Sequence, residues 1–103
     1  MKGPSPAFMT EHEALMRIAI EEARKGYSQG EVPVGAVVVI EGSVKGRGHN
    51  RRDNLKDPTA HAEITALREA AEHLGSWRLE DATLYSTLEP CPMCAAAISF
   101  SRI

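Results

Sequence analysis

Along the chain, segments whose apolar residues repeat with the period of a helix are interspersed with segments whose apolar residues are typical of strands. The first helical pattern begins at Thr10, which forms a capping box with Glu13, and Gly26 is predicted to end this helix. Its apolar face consists of Leu15, Ile18, Ala19 and Ala23. A second helix is predicted to begin with Thr59 as its N-cap and to end at Gly75. Its apolar stripe comprises Ile64, Leu67, Ala70, Ala71 and Leu74.

Three segments have strand character. Residues 34–40 are almost continuously apolar, which is typical of a strand buried on both faces. A turn at Glu41 and Gly42 leads into residues 43–48, so the two strands form a hairpin. After a loop over residues 50–58 and the second helix, residues 82–88 alternate and form a third strand. Cys91 then begins a third helix with Pro92 at its first position.

The resulting order, α-β-β-α-β-α, predicts an α/β domain in which helices pack on a sheet. A helix that follows the third strand should cross over to another strand, and the residues after it are too few to form one. We therefore expect residues 10–103 to be a C-terminally incomplete domain. Residues 1–9, which include Pro4 and Pro6, are expected to form a flexible N-terminal tail.

Composition excludes several classes of protein. No apolar run approaches the ~18 residues of a membrane span, and the N-terminus does not resemble a secretory signal. The two cysteines lie close together, which argues against a disulfide scaffold and favours a reducing compartment, the cytoplasm by default. The net charge of −2 excludes a chain that binds nucleic acid through its overall charge.

One segment is nevertheless basic. Residues 45–56 carry five cationic side chains against one acidic residue, Asp53. The cationic residues are Lys45, Arg47, Arg51, Arg52 and Lys56. This run is interpreted either as a phosphate-facing patch or as a loop whose charges simply keep it solvated.

Two short motifs carry the candidate chemistry: His61-Ala62-Glu63 and Pro90-Cys91-Pro92-Met93-Cys94. Together they offer three zinc ligands, one histidine and two cysteines, which leave the fourth tetrahedral position open for water, as in catalytic zinc sites. The combined pattern His-x-Glu with Pro-Cys-x-x-Cys is the signature of zinc-dependent nucleobase deaminases.

Both motifs are predicted to lie at helix N-termini. The positive end of the helix dipole favours thiolate over thiol and disfavours imidazolium, so we expect all three ligands to be biased toward their metal-binding forms. Glu63 projects about 200° around the helix from His61, yet it is expected to reach a zinc-bound water from the first turn. In the deaminase reaction that carboxylate takes a proton from the water, zinc-bound hydroxide attacks the amine-bearing carbon, and the same carboxylate protonates the departing ammonia.

Four stretches resemble bacterial tRNA-specific adenosine deaminases of the cytidine-deaminase-like superfamily. They are Glu-Val-Pro-Val-Gly-Ala-Val at 31–37, His-Asn-Arg at 49–51, Asp-Pro-Thr-Ala-His-Ala-Glu at 57–63 and Thr-Leu-Glu-Pro-Cys-Pro-Met-Cys at 87–94. The resemblance implies a three-layer α-β-α fold with a mixed sheet and helices on both faces, whose C-terminal strands and helices are missing from this chain. It further implies a homodimer that converts the wobble adenosine in a tRNA anticodon loop to inosine.

The same resemblance assigns roles to individual residues. It makes His61, Cys91 and Cys94 the ligands of one Zn²⁺ per chain and Glu63 the catalytic proton shuttle. Asn50 is expected to bind substrate through its amide.

Three alternatives stay open. In the first, the chain deaminates a free base, either guanine or a cytosine-type substrate. In the second, it is a zinc-stabilised fragment without turnover. In the third, it is a redox protein that uses Cys91 and Cys94 as a dithiol.

Overall fold

The computed structural model describes residues 10–103, so the predicted flexible tail at residues 1–9 lies outside the described residues. The elements follow in the order α1 (Glu11–Ser28), β1 (Gly35–Ile40), β2 (Ser43–His49), α2 (Arg52–Leu55), α3 (Ala62–Leu74), β3 (Ala82–Ser86) and α4 (Pro92–Phe100). Among these residues, none of the helices has the length and hydropathy needed to cross a bilayer.

The three strands form one sheet in the order β2-β1-β3. β1 pairs antiparallel with β2, where Gly35 lies opposite His49, and antiparallel with β3, where Ala36 lies opposite Ser86. A mixed sheet was expected, but both pairings within residues 10–103 are antiparallel. β2 and β3 run in the same direction and are connected through α3, but β1 lies between them, so no two neighbouring strands of the described part are parallel.

The three-layer α-β-α arrangement is confirmed. Successive side chains of β1 point to opposite faces of the sheet. On one face Val37 and Val39 pack with Leu15 and Ala19 of α1. On the other face, Ala36 and Val38 share a core cluster with α3. The α3 residues of that cluster are Ala62, Ala66, Leu67 and Ala70. Every residue from Gly35 to Val39 is buried, as the apolar run predicted for a strand covered on both faces.

Two glycines of β2 let α3 approach the sheet closely. A Cβ at Gly46 would lie 2.2 Å from the carbonyl oxygen of Ala66, and one at Gly48 would lie 2.6 Å from that of Ala62. No real side chain tolerates such distances, so only glycine allows this backbone-to-backbone contact. The contact fixes the N-terminal turn of α3 against β2, next to the motif His61-Ala62-Glu63.

Element boundaries differ from the prediction in three places. α3 begins after His61, not after Thr59, because Thr59 donates both its backbone N–H and its hydroxyl to Asp57 Oδ1 in the preceding turn. α1 continues past Gly26 to Ser28. The loop predicted over residues 50–58 contains the short helix α2, whose C-cap Lys56 adopts a left-handed conformation.

Candidate functional site

The structure brings the three predicted metal ligands together. Nδ1 of His61 lies 3.6 Å from Sγ of Cys91 and 3.5 Å from Sγ of Cys94. A tetrahedral zinc ion, with bonds of about 2.3 Å to sulfur and about 2.0 Å to nitrogen, requires sulfur-to-nitrogen separations of about 3.6 Å. The spacing of the three donor atoms therefore fits zinc, as does their chemistry, and leaves the fourth position without a protein ligand among residues 10–103.

Helix starts hold all three ligands. His61 is the N-cap of α3 and Cys91 is the N-cap of α4, and both have extended backbone conformations. Pro92 occupies the beginning of α4, where its missing N–H and fixed φ cost nothing. Cys94 follows in the first turn and is fully buried. The two cysteines thus reach one point from a single helical turn, while His61 reaches it from the start of the neighbouring helix.

The electrostatic prediction holds for one cysteine and is wrong for the other. The backbone N–H of Cys94 lowers the pKa of the Cys91 thiol, as expected at a helix start. Burial, followed by the negative charge of Glu63, raises the pKa of Cys94 to about 12. At this buried sulfur the cost of desolvating the thiolate exceeds the stabilisation by the helix dipole, so Cys94 would need the positive charge of the metal ion in order to bind it as a thiolate.

Glu63 lies beside the sulfurs although its helical position alone would point it away from His61. Its side chain is 4% exposed and lines the same cavity as His61 and Cys91. The simple projection fails because His61 is not helical: an extended N-cap residue does not follow the 100° step that separates helical neighbours.

The ligands open onto a cavity of about 180 Å³. Its lining includes Asn50, which is 6% exposed, together with Glu63 and His61. Val32 and Leu88 are exposed and give the cavity an apolar rim. The volume is below the roughly 300–1,000 Å³ of pockets for drug-sized ligands, so it suits one flat ring better than a whole nucleotide.

Val32, Leu88 and Arg52 are among the lining residues that were not predicted as part of the site. The sequence did contain a signal for each of them. Val32 and Leu88 lie within two of the stretches that carry the family resemblance, and Arg52 belongs to the basic run over residues 45–56.

The basic run does not form one patch. Arg52 lines the cavity, whereas Arg47 pairs through Nε with Oε2 of Glu22 at 2.8 Å. Glu22 is buried and also contacts Nδ1 of His49 at 3.0 Å. The arginine at position 47 and the histidine beside Asn50 therefore belong to a structural cluster with α1, and Arg52 is the cation of this run that lines the site.

Comparison with known proteins agrees with this geometry. Residues 9–103 match the family model of the cytidine and deoxycytidylate deaminase zinc-binding region. The tRNA-specific adenosine deaminase of Bacillus subtilis is 54% identical over 95 residues, which cover 92% of this chain and 59% of that protein.

Solved structures are similar as well. One from a study of A-to-I editing by tRNA:A34 deaminases at the wobble position of transfer RNA superposes with a TM-score of 0.89 at 54% identity, covering 91% of this chain and 72% of that one. Guanine deaminase from Bacillus subtilis superposes with a TM-score of 0.86 at 43% identity, covering 91% of this chain and 60% of its own.

The chain spans about three fifths of the length of the bacterial tRNA-specific adenosine deaminases it matches. Within that span, the matched region contains the His61, Cys91 and Cys94 cluster and the α-β-α layers that hold it. The chain therefore belongs to the cytidine and deoxycytidylate deaminase family.

Proposed function

We propose that this chain catalyses the zinc-dependent hydrolytic deamination of the wobble adenosine in a tRNA anticodon loop, which yields inosine. The observation that carries the proposal is the convergence of His61, Cys91 and Cys94 beside the buried Glu63, in a chain 54% identical to a tRNA-specific adenosine deaminase. The redox alternative has less support, because His61 Nδ1 lies within 3.6 Å of both sulfurs and matches a shared metal ion.

The three ligands would hold zinc, which when bound lowers the pKa of a coordinated water to about 7 and supplies a nucleophile at neutral pH. Two thiolates and a neutral imidazole cancel the charge of the ion. Since the charge of Glu63 acts on both cysteines, its carboxylate lies close to the ligands without being one of them.

Glu63 is the proton carrier in this proposal. Its carboxylate accepts a proton from the attacking water and delivers it to the leaving amine, which departs as ammonia. Burial beneath a small cavity protects this carboxylate from bulk water, and the first turn of α3 holds it in one place. The apolar rim of Val32 and Leu88 offers surface against which a flat base can pack.

An unpaired loop base suits this site better than a paired one. A loop nucleotide can be splayed out at less cost than a base in a duplex, and only an extruded base can enter so small a cavity. Arg52 at the cavity wall is the cation available to a nearby phosphate. We also propose a cytoplasmic location, which the two free cysteines support because thiols persist in a reducing compartment.

We further propose that the active form is a homodimer. The support for this is the exposed apolar surface around the third and fourth helices, where Trp77 is 60% exposed and Phe100 is 76% exposed. Aromatic side chains are enriched at protein interfaces relative to the rest of the protein surface.

Guanine deamination is the second candidate. The observation in its favour is the structural similarity to guanine deaminase from Bacillus subtilis, with a TM-score of 0.86 at 43% identity. Adenosine in RNA ranks first because the identity to the tRNA enzyme is higher, at 54%.

A substrate panel separates the two candidates and the inactive alternative. Ammonia release from the zinc-loaded protein is measured with an anticodon stem-loop RNA, with free guanine and with free cytosine. Release from the RNA alone supports the proposal, and release from a free base transfers the assignment to that base. No release from any of the three, with one zinc bound per chain, leaves the zinc-stabilised fragment as the correct interpretation.

A further inference from the structure

Glu31 is a buried carboxylate for which the proposed reaction has no use. It lies between α1 and β1 and is 4% exposed. Its two oxygens accept hydrogen bonds from backbone N–H groups of α2: Oε1 from Asp53 at 3.3 Å and Oε2 from Asn54 at 2.7 Å. None of the ion pairs among residues 10–103 includes Glu31. Both oxygens of this carboxylate therefore bind α2.

α2 depends on this contact. A helix of four residues is too short to be stable alone, and its N-cap residue Arg51 makes no side-chain cap bond. The first N–H of the helix, at Arg52, donates to Oδ1 of Asn50 at 3.0 Å. The next two donate to Glu31. Asn50 and Glu31 thus satisfy three of the four N–H groups that a helix start leaves without partners, and the fourth, at Arg51, donates to the carbonyl oxygen of Ala60 at 2.9 Å.

The hydrogen bond to α2 fixes the orientation of the Asn50 amide. Because Oδ1 already accepts the Arg52 N–H, the amide cannot flip without placing its NH₂ group against another donor. Within residues 10–103, Nδ2 of Asn50 has no hydrogen-bond acceptor. The side chain lines the cavity together with His61 and Glu63. Asn50 therefore has its Nδ2 group available as a hydrogen-bond donor to a molecule in the cavity.

We propose that Glu31 is a positioning residue that acts through Asn50. By holding α2 in place, it fixes the Asn50 amide so that Nδ2 donates to a hydrogen-bond acceptor of the bound nucleotide. The nature of that nucleotide rests on the proposed function, whereas the link from Glu31 through α2 to Asn50 does not.

A double-mutant cycle on RNA affinity tests the link. The probe is a stem-loop RNA with purine riboside at the target position, which lacks the amino group and is not deaminated. Glu31→Gln and Asn50→Ala are each expected to weaken binding about tenfold, the effect of losing one charge-assisted or one buried hydrogen bond. In the Asn50→Ala background, Glu31→Gln should weaken binding less than about twofold, since its effect passes through Asn50. Additive losses would overturn the proposal.

The matched control is Glu69→Gln. Glu69 also accepts a backbone N–H, that of Arg47 at 3.3 Å, but it does not line the cavity. Its affinity for the same RNA should stay within about twofold of wild type. Glu31→Asp, which keeps the charge on a shorter side chain, provides a second variant and should fall between wild type and Glu31→Gln.

Amide hydrogen exchange on the zinc-loaded protein tests the same link without RNA. Glu31→Gln should accelerate exchange about tenfold at Asp53 and Asn54, which Glu31 contacts, and also at Arg52, which it does not. Unchanged exchange at Arg52 would show that Glu31 does not act on Asn50. If wild-type protein fails to bind the RNA, the proposed substrate is wrong and the exchange result still decides the role of Glu31.

Discussion

At the residue scale, the site depends on His61 and Cys91, two residues with extended backbone conformations that each directly precede a helix. His61 and Cys91 are N-caps, and each directs its side chain toward the ligand cluster while the following turn supplies Glu63 or Cys94. One short segment can therefore present a metal ligand and a buried carboxylate to the same cavity, which a continuous helix would not allow at a spacing of two.

Replacing Glu63 should separate zinc binding from turnover. Glu63→Ala is expected to retain one zinc per chain and to lose about 10³-fold in the rate of deamination, since general acid–base catalysis contributes about 10²–10⁴-fold. Zinc content is measured by atomic absorption and turnover by ammonia release. Glu72→Ala, an exposed glutamate on the same helix, is the control and should behave as wild type. Loss of zinc from Glu63→Ala would contradict the role assigned here.

Removing a ligand should cost both metal and stability. Cys91→Ala leaves two protein ligands, so zinc should dissociate and the free energy that metal binding adds to folding should be lost. With metal at about 1,000 times its dissociation constant, that contribution is about 4 kcal/mol. Thermal unfolding of wild type with and without a chelator, beside Cys91→Ala, measures it. An equal midpoint for zinc-loaded wild type and the variant would refute the assignment of Cys91 as a ligand.

Most of the site could be predicted from the sequence, because metal ligands and their proton carrier recur at fixed spacings. His61, Glu63, Cys91 and Cys94 were named from two short motifs, and the structure places them in one cluster. The motifs could not predict that the pKa of the Cys94 thiol is raised, because this shift depends on the tertiary packing that buries the sulfur. Nor could they reveal the buried carboxylates of Glu22 and Glu31, whose partners, apart from Lys25 beside Glu22, lie more than twenty positions away in the sequence.

At the element scale, the position of α3 depends on the glycines of β2. Gly46→Ala would place a Cβ 2.2 Å from the carbonyl oxygen of Ala66, so helix and strand must separate. We expect a loss of about 1–3 kcal/mol in the free energy of unfolding, as for other overpacked contacts. Urea denaturation measures it. Ser43→Ala, at an exposed position in the same strand, is the control and should change stability by less than about 0.5 kcal/mol. A neutral Gly46→Ala would mean that the close approach does not constrain α3.

The cluster around Glu22 should make stability depend on acid pH. Burial by itself would raise the pKa of Glu22, but hydrogen bonds from His49, Lys25 and Arg47 outweigh it and hold the pKa below 4.5. A carboxyl whose pKa is lowered on folding stabilises the protein above its unfolded pKa and loses that contribution as the pH falls through the folded value. Glu22→Gln should therefore destabilise the protein by about 1–3 kcal/mol near neutral pH.

The difference between Glu22→Gln and wild type should shrink as the pH falls through the lowered pKa of Glu22, because the wild-type carboxyl then becomes protonated as well. Urea denaturation of both proteins across this range measures it. A difference in the free energy of unfolding that stays constant with pH would show that the charge of Glu22 does not stabilise the cluster.

Helices and strands were predictable where the sequence pattern extends over many residues. The prediction failed where individual side-chain contacts determine the structure. The capping box at Thr10 and the apolar run at 34–40 gave α1 and β1 directly. α2 has only four residues and no periodicity, and it forms because Glu31 and Asn50 bind its N–H groups. The start of α3 was misplaced because Asp57 captures the hydroxyl of Thr59, which removes it from the capping role.

At the scale of the whole molecule, two helical layers enclose a small antiparallel sheet and the candidate site opens between helix starts. α1 covers one face of β1, and α3 with α4 covers the other. The metal cluster lies where α3 and α4 begin, so the packing of those two helices on the sheet sets the ligand geometry. The family resemblance implied the three layers, and the predicted hairpin implied the antiparallel pairing of β1 with β2. The pairing of β3 with β1 was not predicted, because tertiary contacts decide it.

The measurement that tests the central claim most directly is mass spectrometry of an anticodon stem-loop RNA after incubation with the zinc-loaded protein in isotopically labelled water. The account predicts conversion of the wobble adenosine to inosine, with the label in the base, because a hydrolytic deamination replaces the amine with oxygen from water. Glu63→Ala in parallel should give no conversion. An unchanged adenosine with zinc bound, or inosine without the label, would contradict the account.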